Sequence, residues 1–127
     1  MLRYFLLISC FFSLTSIQAE SEIIDGNKML ESVNKRIVNI NTNELVAILD
    51  KDPSVILIDV RTPSELKYTG TINRGQNVNV VRGWIEFQIA DHAKSKDTPI
   101  IVYCGRNLRS PLAAKTLETM GYTNVKN

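Results

Sequence analysis

From residue 37 onward, apolar residues follow two different spacings, and the alternation between these spacings predicts the fold. Val55–Val60 is a nearly continuous apolar run rich in β-branched residues, which is typical of a strand covered on both faces. Ile100–Tyr103 repeats this pattern. Weaker runs predict shorter strands at Ile37–Ile40, Val78–Val81 and Tyr122–Val125.

Helices are predicted between these strands, from apolar residues three or four positions apart and from residues that begin a helix. Asn41 with Glu44 matches a capping box, in which each side chain accepts a hydrogen bond from the other residue's backbone N–H. Thr62 with Glu65 matches it too. The predicted helices are Thr42–Asp50, a short helix beginning at Pro63, Trp84–Lys94 and Ser110–Met120. Alternating strands and helices indicate an α/β fold with a mainly parallel sheet flanked by helices on both faces.

Residues 1–19 have the layout of a secretory signal peptide. Arg3 provides the basic start, Tyr4–Leu14 is a short apolar run, and Ala19 is a small residue at the expected cleavage point. The run is too short to span a bilayer. We therefore expect a periplasmic or secreted protein that has no stable membrane insertion after cleavage. Two alternatives remain open: an uncleaved N-terminal anchor, and lipid attachment at Cys10.

The composition indicates one globular domain after that segment. With 44% apolar and 22% charged residues, the chain is too apolar to be intrinsically disordered. Residues 20–36 are polar and predict a partly helical leader, and residues 37–127 form the predicted domain. The formal net charge of +2 is spread over interspersed acids and bases. Nucleic acid is therefore not expected as a partner, because its binding usually needs a basic patch.

Cysteine usage points to a single thiol of interest. The chain has two cysteines, Cys10 and Cys104, which is too few for a disulfide scaffold. Cleavage after Ala19 would leave Cys104 alone, and an odd cysteine in an exported protein suggests a reactive thiol or an intermolecular bond. The competing interpretation is an inert cysteine that ends a buried strand.

The surroundings of Cys104 in the sequence favour the reactive interpretation. The residue ends a predicted strand, four residues separate it from Arg109, and a predicted helix follows directly. Ligands of open α/β sheets bind outside the carboxyl ends of the strands. A short loop there can turn several N–H groups inward, and the helix N-terminus adds positive potential. Together with Arg106 and Arg109, these groups should favour the thiolate and attract an anionic substrate.

Four stretches of the sequence resemble the rhodanese-like domain family. Leu57–Glu65 is similar to its first signature, and residues 70–78 are similar to its second region. Pro99–Ser110 resembles the active-site strand and loop, and Leu112–Val125 resembles the helix and strand behind it. The resemblance covers residues 37–127, and the exported single-domain rhodaneses of the bacterial periplasm are the most similar type.

This resemblance implies a sulfurtransferase that needs no cofactor or metal. In the family, the loop cysteine takes sulfane sulfur from a small anionic donor such as thiosulfate and passes it to a thiol or cyanide acceptor. Cys104 would then be the nucleophile. The substrate-binding loop would comprise Gly105, Arg106, Asn107, Leu108, Arg109 and Ser110. Asp59 and Arg61 would either support this loop or form a purely structural ion pair.

Two further residues are expected to have no catalytic role. Glu65 is most simply explained as the capping residue of its helix. His92 is the only histidine, and its charged neighbours on the predicted helix indicate a solvated face. One cysteine and one histidine at this spacing cannot form a zinc site.

The sequence departs from the family pattern at several places. Thr71 and Asn73 stand where the second region usually has His and Pro, which puts the substrate preference in doubt. The loop begins with Gly105 and Arg106, where many members place an Arg directly after the Cys and a Gly two residues later. The family fold normally continues with a Gly-Gly turn and a final helix. Three alternatives follow: the sequence is truncated, another subunit covers the apolar flank, or the domain is less stable. An oligomer is expected only if that flank is exposed.

Two functional alternatives follow from these departures. A non-catalytic module that carries a persulfide or docks a partner is the first alternative. A phosphatase or arsenate reductase is the second. It is disfavoured because the related phosphatases and arsenate reductases have an active-site loop longer by one residue.

Overall fold

Four short parallel strands form the central sheet of the computed structural model, which describes residues 22–127. The strands, in chain order, are β1 (Ile56–Asp59), β2 (Asn77–Asn79), β3 (Ile100–Tyr103) and β4 (Val125–Lys126). The helices are α1 (Gly26–Asn34), α2 (Thr42–Lys51), α3 (Pro63–Thr69), α4 (Ile85–His92) and α5 (Arg109–Thr119). A short 3-10 turn at Arg82–Trp84 precedes α4.

The strand order β2-β1-β3-β4 creates a switch point between β1 and β3. From β1 the chain moves outward to β2, and α4 then leads it back across to β3 on the other side of β1. Asp59 and Tyr103 are paired at the carboxyl ends of β1 and β3. In open α/β sheets, this is the position where ligands bind.

Helices cover both faces of the sheet, as the sequence predicted. Because successive side chains of a strand point to opposite faces, Ile58 and Val102 pack on one side of the sheet. Leu57 and Ile101 pack on the other side. The first side is covered by α1, α4 and α5, and the second side by α2. Both predicted capping boxes form, one at the start of α2 and one at the start of α3.

The strand predicted at Ile37–Ile40 is wrong. This segment makes only one parallel bridge, between Val38 and Lys126. Two backbone hydrogen bonds accompany the bridge, from Ile40 N–H to Asn127 C=O and from Asn127 N–H to Val38 C=O. The chain cannot extend this pairing on the α2 side, because Asn41 already caps α2.

The helix expected within the leader is α1, and it contributes to the core. Asp25 caps it by accepting hydrogen bonds from the N–H groups of Asn27 and Lys28. Val33 is buried in the cluster that also contains α5 residues. The proposed signal peptide at residues 1–19 lies outside the described residues. Within residues 22–127, no helix is long and apolar enough to cross a membrane.

Candidate active site

Cys104 lies where β3 gives way to the loop before α5. It directly follows Tyr103, the last residue of β3, and α5 begins at Arg109. The Cys104 side chain is partly buried, and its thiol is free. The hydroxyl of Ser110, a buried residue in the first turn of α5, donates a hydrogen bond to Cys104 Sγ over 3.4 Å.

The loop wraps its backbone around this sulfur. Besides the Ser110 hydroxyl, the backbone N–H groups of Arg106, Arg109 and Ser110 lie close enough to Cys104 to lower the pKa of its thiol. Asn107 makes the turn possible because it adopts a left-handed backbone conformation, with φ of 52°, which Asn tolerates better than most residues. The arrangement is an anion-binding nest centred on the thiol.

These donors make Cys104 acidic for a cysteine. Burial raises the pKa of the thiol, because the charged form is less well solvated. The hydrogen bonds from the Ser110 hydroxyl and the loop N–H groups stabilise the thiolate and outweigh burial, so the pKa falls to about 7. A free cysteine has a pKa near 8.5, so a much larger thiolate fraction is present at neutral pH.

Arg109 is the first residue of α5, and its guanidinium forms an ion pair with the Glu65 carboxylate. Arg109 NH1 donates to Glu65 Oε2 at 2.8 Å, and NH2 donates to Oε1 at 2.6 Å. This bidentate pair raises the pKa of Arg109 and, with the Thr62 N–H, holds the pKa of the Glu65 carboxyl well below its usual range. The charge of Arg109 also interacts favourably with Cys104, which raises the pKa of Arg109 further.

Glu65 is the site residue that the sequence interpretation missed. Its capping role is present, because Oε2 accepts from Thr62 N–H at 2.9 Å. The same carboxylate also binds Arg109, which is 44 positions away in the chain. The capping box explained Glu65 fully at the local level, so no local signal indicated the second partner.

A small pocket opens in front of the sulfur. It has a volume of about 330 Å3 and is lined by Glu65, Cys104, Arg106, Leu108 and Arg109. Arg106 and Leu108 are exposed at its surface. A larger hollow of about 550 Å3 reaches Cys104 from the α2 side, and its lining includes several asparagine side chains. Cys104 therefore lines both of these hollows.

Asp59 and Arg61 form a buried ion pair beside the loop. Arg61 donates to the Asp59 carboxylate through Nε at 2.8 Å and through NH2 at 2.5 Å. It also reaches Thr69 Oγ1 and the carbonyl of Gly70, so it ties the end of α3 to β1. A side-chain carbon at Gly105 would lie 3.7 Å from Arg61 Cδ, so the Arg61 stem lies against the loop.

The region around Thr71 is held to β3 through its hydroxyl group. Asn77 Nδ2 donates to Thr71 Oγ1 at 2.7 Å and to the hydroxyl of Tyr103 at 3.0 Å. These hydrogen bonds hold the second region, residues 70–78, in place beside β3. His92 lies elsewhere, in a hollow that also contains Pro53 and Val55, at the amino ends of the strands.

Comparison with known proteins gives matches over most of the chain. The family model of the Rhodanese-like domain matches residues 41–127. A tRNA sulfurtransferase of Shewanella halifaxensis is 31% identical over 114 residues, which cover 89% of this chain and 22% of that protein. The chain thus spans about a fifth of the length of the tRNA sulfurtransferases that it matches.

Two solved structures show the same fold. A protein of unknown function from Rhodopseudomonas palustris, for which tyrosine phosphatase activity has been suggested, has a TM-score of 0.72 and 28% identity, covering 84% of this chain and 85% of that chain. A homodimeric polysulfide-sulfur transferase from Wolinella succinogenes has a TM-score of 0.69 and 28% identity, with coverage of 78% and 72%.

The chain belongs to the rhodanese-like domain family. The predicted fold class is thereby confirmed, with its parallel sheet and its helices on both faces. Relatives in this family are named as sulfurtransferases, so sulfur transfer is supported at the level of the family. The roles of the individual loop residues remain predictions.

Proposed function

We propose that this protein is a sulfurtransferase that moves sulfane sulfur from a thiosulfate-like donor to a thiol or cyanide, through a persulfide on Cys104. The observation that carries the proposal is the position of Cys104 at the end of β3, where the Ser110 hydroxyl donates to its sulfur and nearby loop N–H groups help to lower the pKa of the thiol to about 7. A thiolate at neutral pH is the form required for nucleophilic attack.

In the first half-reaction, the Cys104 thiolate attacks the outer, sulfane sulfur of thiosulfate. A bond forms between Sγ and that sulfur, and the bond between the sulfane sulfur and the sulfonate sulfur breaks. Sulfite leaves with the electron pair, and the enzyme retains a persulfide anion. The loop N–H groups of Arg106 and Arg109, which favour the thiolate, would also hold the terminal sulfur of this anion.

In the second half-reaction, an acceptor thiolate attacks the terminal sulfur of the persulfide. The bond between the two sulfurs on Cys104 breaks, and its electron pair returns to Sγ, which regenerates the thiolate. Charge and atoms balance without an added oxidant or reductant. Because the enzyme alternates between two covalent states, ping-pong kinetics are expected.

The length of the loop supports sulfur transfer over phosphate chemistry. Four residues separate Cys104 from Arg109, and the phosphatases and arsenate reductases with a related fold have one more. The side chain of Ser110, the next position, turns inward to the sulfur. A shorter loop encloses a smaller ligand, which fits a single sulfur atom better than a tetrahedral phosphate.

The test is intact-mass analysis of the full chain after exposure to thiosulfate. A Cys10→Ser background leaves Cys104 as the only thiol in the chain. The expected result is a gain of about 32 Da, one sulfur atom, together with one equivalent of sulfite. A Cys104→Ser variant should show neither. Sulfite release that persists in this variant, or hydrolysis of an aryl phosphate without persulfide formation, would contradict the proposal.

Export is a second part of the proposal, and it rests on residues 1–19 alone. The basic residue, the apolar run and the small residue at position 19 are the features that support it. N-terminal sequencing of the protein from a periplasmic fraction should give a chain that begins at Glu20. A chain that keeps Met1 in the membrane fraction would favour the uncleaved anchor.

A further inference from the structure

The Glu65 carboxylate places a negative charge at the entrance of a site that is expected to bind anions. Glu65 lines the pocket in front of Cys104, and both of its oxygens bind the Arg109 guanidinium. The two side chains are each a little over one-third exposed, so the negative charge faces the pocket and the solvent. A neutral side chain could also cap α3, because Gln serves at this position of a capping box.

The negative charge of Glu65 weakens the attraction between Arg109 and an anionic substrate. Glu65 accepts one hydrogen bond from each of Arg109 NH1 and NH2 and offsets the charge of the guanidinium, so an arriving oxyanion is attracted less strongly. Of the guanidinium groups that line this pocket, the one on Arg106 has no ion-pair partner among residues 22–127. The pocket therefore contains two Arg side chains and one Glu, which leaves less positive charge than the sequence alone suggests.

We propose that Glu65 is a specificity-determining residue that limits the negative charge of the sulfur donor admitted to Cys104. This inference rests on the proposed sulfur transfer and names the charge of the donor as the property selected. Repulsion from a fixed charge scales with the charge of the approaching molecule. A dianionic donor such as thiosulfate is therefore disfavoured more strongly than a monoanionic donor such as an alkyl persulfide.

The size of the effect follows from Coulomb's law. At a separation of about 7 Å in water, one unit charge changes the local concentration of a monoanion by about threefold. The exponent doubles for a dianion, so the corresponding effect is about sevenfold. Both effects should shrink at high ionic strength, because a salt concentration of about 1 M reduces the screening length to roughly 3 Å.

The first experiment compares two alkylating reagents on the Cys10→Ser chain. Iodoacetamide is neutral and iodoacetate is a monoanion, and both react with the Cys104 thiolate. The ratio of their rates therefore cancels any change in the thiolate fraction. In a Glu65→Gln variant, we expect the iodoacetate-to-iodoacetamide ratio to rise about threefold at low salt, and to return close to the parent value in 1 M NaCl.

Glu118→Gln is the matched control. It removes the same charge and breaks an ion pair with Lys115, at the far end of α5 from the loop. It lies nine positions along the helix from Arg109, a distance of about 13 Å that exceeds the screening length at 0.1 M salt. The control should leave the ratio unchanged. A ratio that stays constant or falls in Glu65→Gln would overturn the inference, because Glu65 would then serve only to cap α3 or to hold Arg109.

The second experiment uses sulfur donors. For Glu65→Gln, kcat/KM with thiosulfate should rise about sevenfold at low salt, and kcat/KM with a monoanionic alkyl persulfide about threefold. Equal changes for the two donors would contradict selection by charge. If no donor forms a persulfide, the proposed function fails, whereas the alkylation ratio still decides whether Glu65 repels anions.

Discussion

The hydroxyl of Ser110 donates to Cys104 Sγ over 3.4 Å, and it joins the first turn of α5 to the end of β3. This bond is one of the groups that lower the pKa of Cys104 against the opposing effect of burial. Ser110→Ala should therefore raise the pKa of Cys104 by roughly one unit. Hydrogen bonds to charged groups contribute about 1.5 kcal/mol, and one pKa unit corresponds to 1.36 kcal/mol.

The pH dependence of iodoacetamide alkylation measures this shift in the Cys10→Ser background. Below its midpoint, the rate should fall tenfold per pH unit, because only the thiolate reacts. Ser95→Ala is the control, since Ser95 is exposed and lies beyond α4, away from the loop. An unchanged midpoint in Ser110→Ala would mean that the N–H groups alone stabilise the thiolate.

Folding stability should also depend on the ionisation of Cys104. The pKa of the thiol is about 7 in the folded chain and about 8.5 in an unfolded chain. The stabilisation is complete above pH 8.5 and is lost as the pH falls through 7. The quantity to compare is the free energy of unfolding of the parent chain minus that of the Cys104→Ser variant. This difference should rise by about 1–2 kcal/mol between pH 6 and 9. Urea unfolding of both chains in a non-thiol reductant measures this difference. A difference that does not change with pH would contradict a depressed pKa of Cys104.

Local sequence signals predicted the parts of the site that neighbouring residues build. The apolar runs located β1 and β3, the capping boxes located α2 and α3, and the position of Cys104 after β3 located the loop. Each of these features depends on residues within a few positions of each other. This range is the one over which periodicity and capping act.

Contacts between distant residues could not be predicted in the same way. The Arg109–Glu65 pair joins α5 to α3, and Glu65 already had a sufficient local role as a cap. The failed strand at Ile37–Ile40 has a related cause. Its apolar residues are used for packing and for one bridge to Lys126, and no pattern within the segment indicates that the pairing stops there.

The buried Asp59–Arg61 pair should be the most sensitive polar contact of the fold. The Asp59 side chain is 1% exposed and that of Arg61 is 10% exposed, so Asp59→Asn leaves a buried guanidinium without its counter-charge. We expect a loss of about 3–5 kcal/mol in the free energy of unfolding.

The exposed Asp50–Arg74 pair provides the comparison for this loss. Asp50→Asn should cost less than about 1 kcal/mol, because surface ion pairs contribute little. Urea unfolding of both variants measures the contrast. Equal losses would show that burial does not set the contribution of the Asp59–Arg61 pair.

Helix α1 should be an integral part of the domain. Val33 is 5% exposed and belongs to the cluster that contains Leu117 of α5. Val33→Ala removes about two buried methylene equivalents and leaves a cavity, so the free energy of unfolding should fall by roughly 2 kcal/mol. Val46→Ala, on the exposed side of α2, should change it by less than about 0.5 kcal/mol. If both variants were equally stable in urea, α1 would be an appendage, and the folded unit would begin closer to residue 37.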